Sequence, residues 1–374
     1  MDKRGNPYRV STGILAHCGA CAGEGRASAK GRLPTSRQGE RRRPALRLAI
    51  GPSPLCPIAV RVPHWVYMKR IAAFLLAGSV CLLPALAQNA PSPFVGRWDF
   101  NTGPLRANWL GVTGKQGALD IWFQPTGGNV YQVKDYKLTG SHLTLNLQKA
   151  EGKNPGLIWE LDAAGDKLTG TQKRGSNQLA LTGVRAPELK RNPPAAWTDP
   201  EPLFNGKDLS GWEPTDAAHN HWVARDGELL NETKGANLRS TRKFDDFKLH
   251  IEFNCPVDGN SGVYLRGRYE VQVEYEPLDR NPPERAIGSI YGFLAPSEVL
   301  PRTPGKWETY DVTLVGRTVT VIRNGKLTID RKEIPGITGG ALDANEGEPG
   351  PFYIQGDHTG GMKYRDIRVS VPKP

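Results

Sequence analysis

Between closely spaced prolines and glycines the chain alternates apolar and polar side chains with little helical period, which predicts short strands joined by tight turns. The run Tyr136 to Leu147 alternates in this way, as do Phe247 to Phe253, Tyr310 to Leu314 and Thr318 to Ile322. Asn324-Gly325 stands between Val319-Thr320-Val321-Ile322 and Leu327-Thr328-Ile329. It predicts a two-residue hairpin turn, because a primed turn needs positive φ at both central positions. The expected fold class is all-β.

The 374 residues suffice for two domains. Composition shifts over residues 186–202, where prolines lie among charged residues and Trp197, and this stretch reads as a linker. The preceding segment, 93–185, contains Gly96-Arg97-Trp98 and two similar phrases, Lys137-Leu138-Thr139-Gly140 and Lys167-Leu168-Thr169-Gly170. Such phrases suit a small β domain, a meander or an up-and-down barrel. Trp98, Trp109 and Trp122 are expected to fill its core, with a sugar-stacking platform as the alternative. Residues 203–374 form the second β domain.

The formal charge of +11 would ordinarily suggest an acidic partner, but its location removes that inference. Residues 1–67 carry 12 Lys/Arg against 3 Asp/Glu, Lys69 and Arg70 add two more positive charges, and the remainder is neutral. Nucleic acid is therefore not an expected partner. Met68-Lys69-Arg70, the apolar run Ile71 to Leu83 and Pro84-Ala85-Leu86-Ala87 read together as a secretory signal peptide spanning 68–87. That apolar run is too short to span a bilayer, so no integral membrane span is expected. Residues 1–67 read as an upstream extension foreign to the native protein, or else as a disordered leader. Cys18 and Cys21 form a lone CxxC there, a weak metal or redox signal, and Cys56 and Cys81 also precede the cleavage site. Cys255 alone remains after it, and a buried structural thiol is its expected role.

The second domain opens with Leu203-Phe204-Asn205-Gly206-Lys207-Asp208-Leu209-Ser210-Gly211-Trp212 and continues through Trp222-Val223-Ala224-Arg225-Asp226-Gly227-Glu228-Leu229. Asn260-Ser261-Gly262-Val263-Tyr264-Leu265-Arg266 and Tyr269-Glu270-Val271-Gln272-Val273 follow, then Gly350-Pro351-Phe352-Tyr353-Ile354-Gln355-Gly356-Asp357-His358 and Tyr364-Arg365-Asp366-Ile367. In this order the phrases resemble the 3-keto-disaccharide hydrolase domain, across Pro200 to Val371. The resemblance implies a concanavalin-like jelly-roll β-sandwich and cleavage of glycosides already oxidised at C3. The small β domain also resembles one that often precedes this family's domain, notably in Trp109-Leu110-Gly111-Val112 and Arg185-Ala186-Pro187-Glu188-Leu189. Two departures stand out: His358-Thr359-Gly360 replaces the usual His-Gly, and Arg365-Asp366-Ile367 replaces Arg-Asn-Ile.

A C3 ketone acidifies the hydrogen on C2, so a base there can expel the C1 oxygen by β-elimination, and water can add afterwards. Such a route needs a base, a stabiliser of the enolate oxygen and help for the leaving group. It does not need the carboxylate pair of an ordinary glycosidase. Alternation puts Glu270, Gln272 and Glu274 on one strand face, and His250, Glu252 and Asn254 on another. Either stripe could simply be solvated, and the resemblance is what favours Glu270 and Gln272 as groove residues. Arg266, taken to stand on the same side as Tyr264, could hold sugar oxygens or form a structural ion pair. His358 beside Asp357 suits proton transfer, with a loop hydrogen bond as the alternative. Glu270 and His358 are thus the candidate catalytic pair, with Gln272, Arg266, Tyr264, Glu252, Gln355 and Asp357 as candidate substrate contacts. No cofactor is required by this chemistry. Glu270, Glu274 and His358 could hold a divalent cation such as calcium, although no ligand spacing is diagnostic.

The expected partner is a small sugar, and the sequence says nothing of protein partners. The competing readings are a lectin-like binding module of the cell envelope, which the same fold can host, and an envelope interaction protein. Export to the periplasm or the exterior is the expected localisation. Mass spectrometry of protein from a bacterial host should find an N-terminus at or near Gln88, and retention of residues 1–67 on the functional protein would refute it.

Overall fold

The computed structural model describes residues 92–115, 118–275 and 282–374; the leader, the signal segment and Cys18, Cys21, Cys56 and Cys81 lie outside them. Among the described residues the small domain is a meander of nine strands: β1 (Gly96–Asn101), β2 (Ala107–Lys115), β3 (Ala118–Gln124), β4 (Tyr131–Gln132), β5 (Tyr136–Thr139), β6 (His142–Gln148), β7 (Leu157–Ala164), β8 (Lys167–Arg174) and β9 (Asn177–Arg185). Each pairs antiparallel with its neighbour except β4 and β5, and β1 pairs with β9, so the sheet curls into a nearly closed barrel. The Tyr136 hydroxyl bridges the gap, accepting from the Leu119 N–H at 2.9 Å and donating to its carbonyl at 3.1 Å. The run Tyr136 to Leu147 is therefore two strands, because Gly140 at φ 60° turns the chain between Thr139 and His142. The two similar phrases also part company. Gly140 ends a strand, whereas Gly170 lies inside β8, where a Cβ would sit 1.8 Å from the Glu160 carbonyl oxygen.

Alternation along β1 sends Trp98 and Phe100 inward and Arg97, Asp99 and Asn101 outward. The barrel core is aromatic: Phe100 and Phe123 each meet Trp159 edge-on at 4.9 Å, a favoured quadrupole geometry. Trp98 meets expectation as a core residue, with its indole N–H bonded to the Phe94 carbonyl at 2.8 Å. Trp109 and Trp122 do not. Both lie on the outer face of the sheet, Trp109 buried against Phe293 of the second domain and Trp122 exposed.

The second domain stacks two antiparallel sheets. The larger comprises β10 (Glu201–Pro202), β12 (Trp222–Arg225), β13 (Glu228–Asn231), β15 (Phe247–Asn254), β18 (Trp307–Val315), β19 (Thr318–Arg323), β20 (Lys326–Glu333) and β22 (Met362–Ser370). The smaller runs in the order β11 (Trp212–Pro214), β14 (Leu238–Phe244), β21 (Gly350–Ile354), β16 (Asn260–Leu265) and β17 (Tyr269–Glu274). Phe247, Leu249, Ile251 and Phe253 from one sheet and Val263, Val271, Val273 and Ile354 from the other fill the space between. This is the expected jelly-roll-like sandwich, and Asn324 and Gly325 make the predicted turn at φ 50° and 76°. Cys255 is buried, and burial pushes its thiol well above its usual range, as suits a structural thiol.

The residues read as a linker are tied down at both ends. The Leu189 carbonyl accepts from the Arg317 N–H, and the Thr198 N–H donates to the Val371 carbonyl. Across the junction, Arg97 pairs with Glu333 at 2.6 Å, and the Asn101 carboxamide bonds Asn345 at 2.9 Å. Arg317 pairs with buried Glu346 at 2.7 Å. Asp99 is buried beside them, and one of its carboxylate oxygens has no hydrogen-bond partner. Burial, then the charge of Glu346, pushes its carboxyl up to about 9 against the pull of Arg317, Arg268 and Arg97.

The folded protein thus binds this proton more tightly than the unfolded chain does. Its contribution is complete below the ordinary value of 3.8, is lost progressively as pH rises to about 9, and is constant beyond. Asp99→Asn should raise the melting temperature by several degrees at pH 8 and by little at pH 4. Calorimetry of both proteins across that range checks it, and equal gains at both pH values would contradict it.

Candidate active site

The smaller sheet presents a polar row on the face turned away from the sandwich core. Register aligns Glu213, Arg239, Tyr353, Tyr264 and Glu270, one residue from each of its five strands. Val271 and Val273 point the other way, into the core, so the period-two pattern of β17 leaves Glu270 and Gln272 together on the polar face. The segment 338–342 lies against this row. The Thr338 hydroxyl accepts from the Glu270 N–H at 3.1 Å, and Leu342 packs with Tyr264 and Tyr353. Glu270 is only 4% exposed as a result.

Glycine at 262 is what lets the carboxylate lie flat. Gly262 pairs directly with Gln272, and a Cβ there would stand 2.1 Å from Glu270 Oε1. The Tyr264 hydroxyl donates to the other oxygen, Oε2, at 2.8 Å. Burial pushes the Glu270 carboxyl up to about 7; the Tyr264 hydrogen bond and the charge of His358 pull it down, and the charge of Asp357 raises it. Relative to the usual 4.5, the dry site disfavours the carboxylate by about 3 kcal/mol. A base poised there is half-ionised near neutral pH.

His358 and Asp357 come to this row from the loop after β21. His358 Nδ1 lies 2.7 Å from Asp357 Oδ1. Asn237, unremarked in the sequence, anchors the loop: its carbonyl oxygen accepts from the Gly356 N–H at 2.6 Å and the Asp357 N–H at 3.1 Å, while its NH2 donates to the Tyr353 hydroxyl at 2.5 Å. Burial acts to raise the Asp357 carboxyl, but hydrogen bonds from His358 and Asn237 and the His358 charge together hold it below the usual range. Beside Asp357 opens a pocket of about 380 Å³ lined by Asp216, His219, Lys234 and Asn237 among others. Tyr353 was legible, since alternation puts it on the face of Gln355. Asn237 carried no comparable signal, for its role rests on a loop contact 120 residues away.

Two buried amide oxygens flank Gly262. Gln272 Oε1 and Gln355 Oε1 are both without a hydrogen-bond partner, and the Gln355 N–H bonds the Gly262 carbonyl at 3.0 Å. Glu270, Gln272, Tyr264, Gln355, Asp357 and His358 are thus gathered in one region.

Arg266 and Glu252 are not gathered there. Arg266 lies beyond the end of β16 with φ 52°, which rotates it out of the alternation that the same-side reading assumed. Its guanidinium is spent on Asp245 at 3.0 Å, the Gly316 carbonyl at 2.9 Å and the Tyr269 hydroxyl at 3.2 Å, a structural ion-pair network. Glu252 stands on β15 of the opposite sheet, whose core face is Ile251 and Phe253, so its carboxylate points outward to Arg365 at 2.5 Å. Glu274 shares the face of Glu270, but Arg302 at 2.6 Å and the Ile287 N–H at 3.1 Å occupy its carboxylate. Among the described residues the cluster with metal-ligand spacing is instead His250, Glu252 and Asp366, on the outer face of the larger sheet. Its members are engaged by Asp311, Arg365 and Arg368. The two departures from the family's usual phrases are locally accommodated. Thr359 Oγ1 accepts from the Asn260 N–H at 3.1 Å, and Asp366 takes φ 46°, a conformation in which Asp and Asn are both enriched.

Residues 199–370 match the family model of the 3-keto-alpha-glucoside-1,2-lyase-like domain. No curated protein matches the chain. Among solved structures, a candidate glycosyl hydrolase from Parabacteroides distasonis ATCC 8503 is 29% identical, over 49% of this chain and 93% of that one, with a TM-score of 0.40. A second from the same organism is 16% identical, over 46% and 92%, with a TM-score of 0.39. Trypanosoma rangeli sialidase is 12% identical, over 72% and 64%, with a TM-score of 0.29.

Because the Tyr264 hydrogen bond favours the ionised form, Tyr264→Phe should raise the Glu270 carboxyl above its value of about 7. Infrared difference spectra taken across pH should show a carboxyl band titrating near neutrality, absent in Glu270→Gln and displaced upward in Tyr264→Phe. A band that titrates near the usual carboxylate value in the parent would contradict this picture.

Proposed function

We propose that this protein splits 3-keto-glycosides by elimination and hydration, a reading supported by the match of residues 199–370 to the 3-keto-alpha-glucoside-1,2-lyase-like domain. The observation that carries the reading is a buried carboxylate held by the Tyr264 hydroxyl at 2.8 Å, which burial pushes up to about 7, with a histidine on a separate loop whose charge acts on it. Proton abstraction and proton donation are then supplied from two elements, as the reaction requires.

In this scheme Glu270 takes the proton from C2, and the electron pair flows into the C3 carbonyl as an enolate. The C1–O bond breaks as the enolate collapses, and His358 gives a proton to the departing oxygen, leaving a C1=C2 double bond conjugated with the ketone. Water then adds, its oxygen to C1 and a proton returned by Glu270 to C2, while the second proton of water restores His358. The sum is glycoside plus water to free 3-keto sugar plus alcohol, with no net redox change. Asp357 holds Nδ1 of the imidazole, so Nε2 is the nitrogen that exchanges the proton. The Tyr264 hydroxyl keeps the carboxylate aimed, and the unpartnered amide oxygens of Gln272 and Gln355 accept from sugar hydroxyls. The scheme routes no step through a metal. We also propose that the enzyme works outside the cytoplasm, on the strength of the segment 68–87.

Incubation with 3-keto-glucosides and their unoxidised parents should release the aglycone from the former alone, because only a ketone acidifies C2. Glu270→Gln keeps the shape and removes the base, so turnover should fall by roughly a hundredfold or more with substrate binding retained. In the parent kcat/KM should climb with pH through about 7, as Glu270 loses its proton. Binding without release from any 3-keto substrate would instead support a lectin.

A further inference from the structure

The barrel and the sandwich enclose a second cavity, of about 950 Å³, which the proposed chemistry does not use. Its barrel wall is the outer face of β1 to β3. There Gly111 lies beside Trp122 in register, and the Trp109 ring folds over Gly111, where a Cβ would lie 2.2 Å from it. The sandwich wall is Gly292, Phe293 and Pro335, and Glu284 closes one side. A Cβ at Gly96 would meet the Arg185 guanidinium at 2.2 Å, so glycine there, as at 111, lets a side chain pack flat against this wall. Trp122 stands on this wall 41% exposed, an unusual state for the largest apolar side chain. Its indole N–H bonds Asp120 Oδ2 at 3.3 Å, and Asp120 Oδ1 accepts from the Gln132 NH2 at 2.9 Å. The ring is therefore anchored by its edge while its face remains free.

We propose that this cleft is a second carbohydrate site, which binds a neutral pyranose chain with one ring stacked on Trp122. A fixed indole face suits the apolar C–H face of a sugar, and the carboxylates at its edge suit the hydroxyls. Charge selects against anionic ligands. Arg97 is already paired with Glu333 and Glu188, which leaves Asp120 and Glu284 as acceptors and, among the described residues, no spare cation in the lining. The site lies beside the proposed reaction centre along the chain, since the Tyr291 N–H bonds the Glu270 carbonyl at 3.1 Å and Gly292 and Phe293 follow directly. It uses none of the groups assigned to the elimination, so it stands whether or not that reaction does. A neutral glycan held there would keep the protein on a polymer while glycosides are processed next to it.

The test is calorimetric titration of the full protein with maltohexaose, cellohexaose, laminarihexaose and hexagalacturonate. At least one neutral hexasaccharide should bind and the galacturonate should not. Trp122→Ala should weaken that binding by about tenfold or more, and Asp120→Asn, which keeps the shape, should weaken it measurably. Glu270→Gln should bind like the parent, which separates this site from the proposed catalytic one. The inference is overturned if no neutral hexasaccharide binds, if both cleft variants bind as the parent does with folding confirmed by circular dichroism, or if Glu270→Gln abolishes binding. It also fails if sedimentation shows a self-association that Trp122→Ala dissolves, for a second copy would then be the occupant.

Discussion

One carboxylate held out of water organises the polar face of the smaller sheet. Glu270 can lie flat because Gly262, diagonal to it on the neighbouring strand, has no Cβ, and it is kept in place by the Tyr264 hydroxyl. Burying it without a full ion-pair partner is expensive, and the cost appears as a carboxyl that holds its proton to about pH 7. That cost is also what gives the group its chemical use, since a carboxylate at its ordinary value would be a feeble base at neutral pH. The surrounding residues follow from the same constraint. Tyr353 packs edge-on against Tyr264 at 4.8 Å, Asn237 ties Tyr353 to the loop of Asp357 and His358, and segment 338–342 excludes water from above.

The barrel takes part in that exclusion. The Gly127 N–H bonds the Gly339 carbonyl at 2.6 Å, and a Cβ at Gly339 would meet the Gly128 carbonyl at 2.1 Å, so the barrel loop and the segment over Glu270 are in backbone contact. The Gln124 carboxamide braces the same loop by bonding the carbonyls of Pro125 and Gly128. The small domain is therefore part of the wall behind the candidate site. Its buried Asp99, next to Glu346 and Arg317, places an ionisable junction between the two cores, where polar pairing costs more than apolar contact of the same size. Such a junction fixes which faces meet, because a shifted register would strand these charges.

Buried arginines elsewhere have structural work. Arg266, Arg317 and Arg323 are almost wholly buried, and each is matched by a carboxylate and backbone carbonyls that use its planar fork. A guanidinium so engaged has little left to offer a substrate. Gln272 and Gln355, by contrast, each keep a carboxamide oxygen unmatched on the polar face beside Glu270.

The sequence by itself determined what depends on neighbours along the chain. Period-two alternation gave the all-β class and the shared face of Glu270 and Gln272, and Asn324-Gly325 gave a hairpin because its backbone requirement is local. The ordered phrases of the second domain gave its resemblance to the domain whose family model matches residues 199–370. Only the tertiary structure decided which sheet each polar stripe would face. Alternation treats Glu252 and Glu270 alike, yet one points outward from the larger sheet and the other lies buried on the smaller, because layer assignment depends on contacts between distant strands. It also decided that Arg266 leaves its strand at a left-handed turn, that Trp109 and Trp122 face outward while Trp98 faces in, and that Asn237 holds the histidine loop. In each case the deciding contact joins residues that the chain keeps far apart, and local pattern carries no record of it.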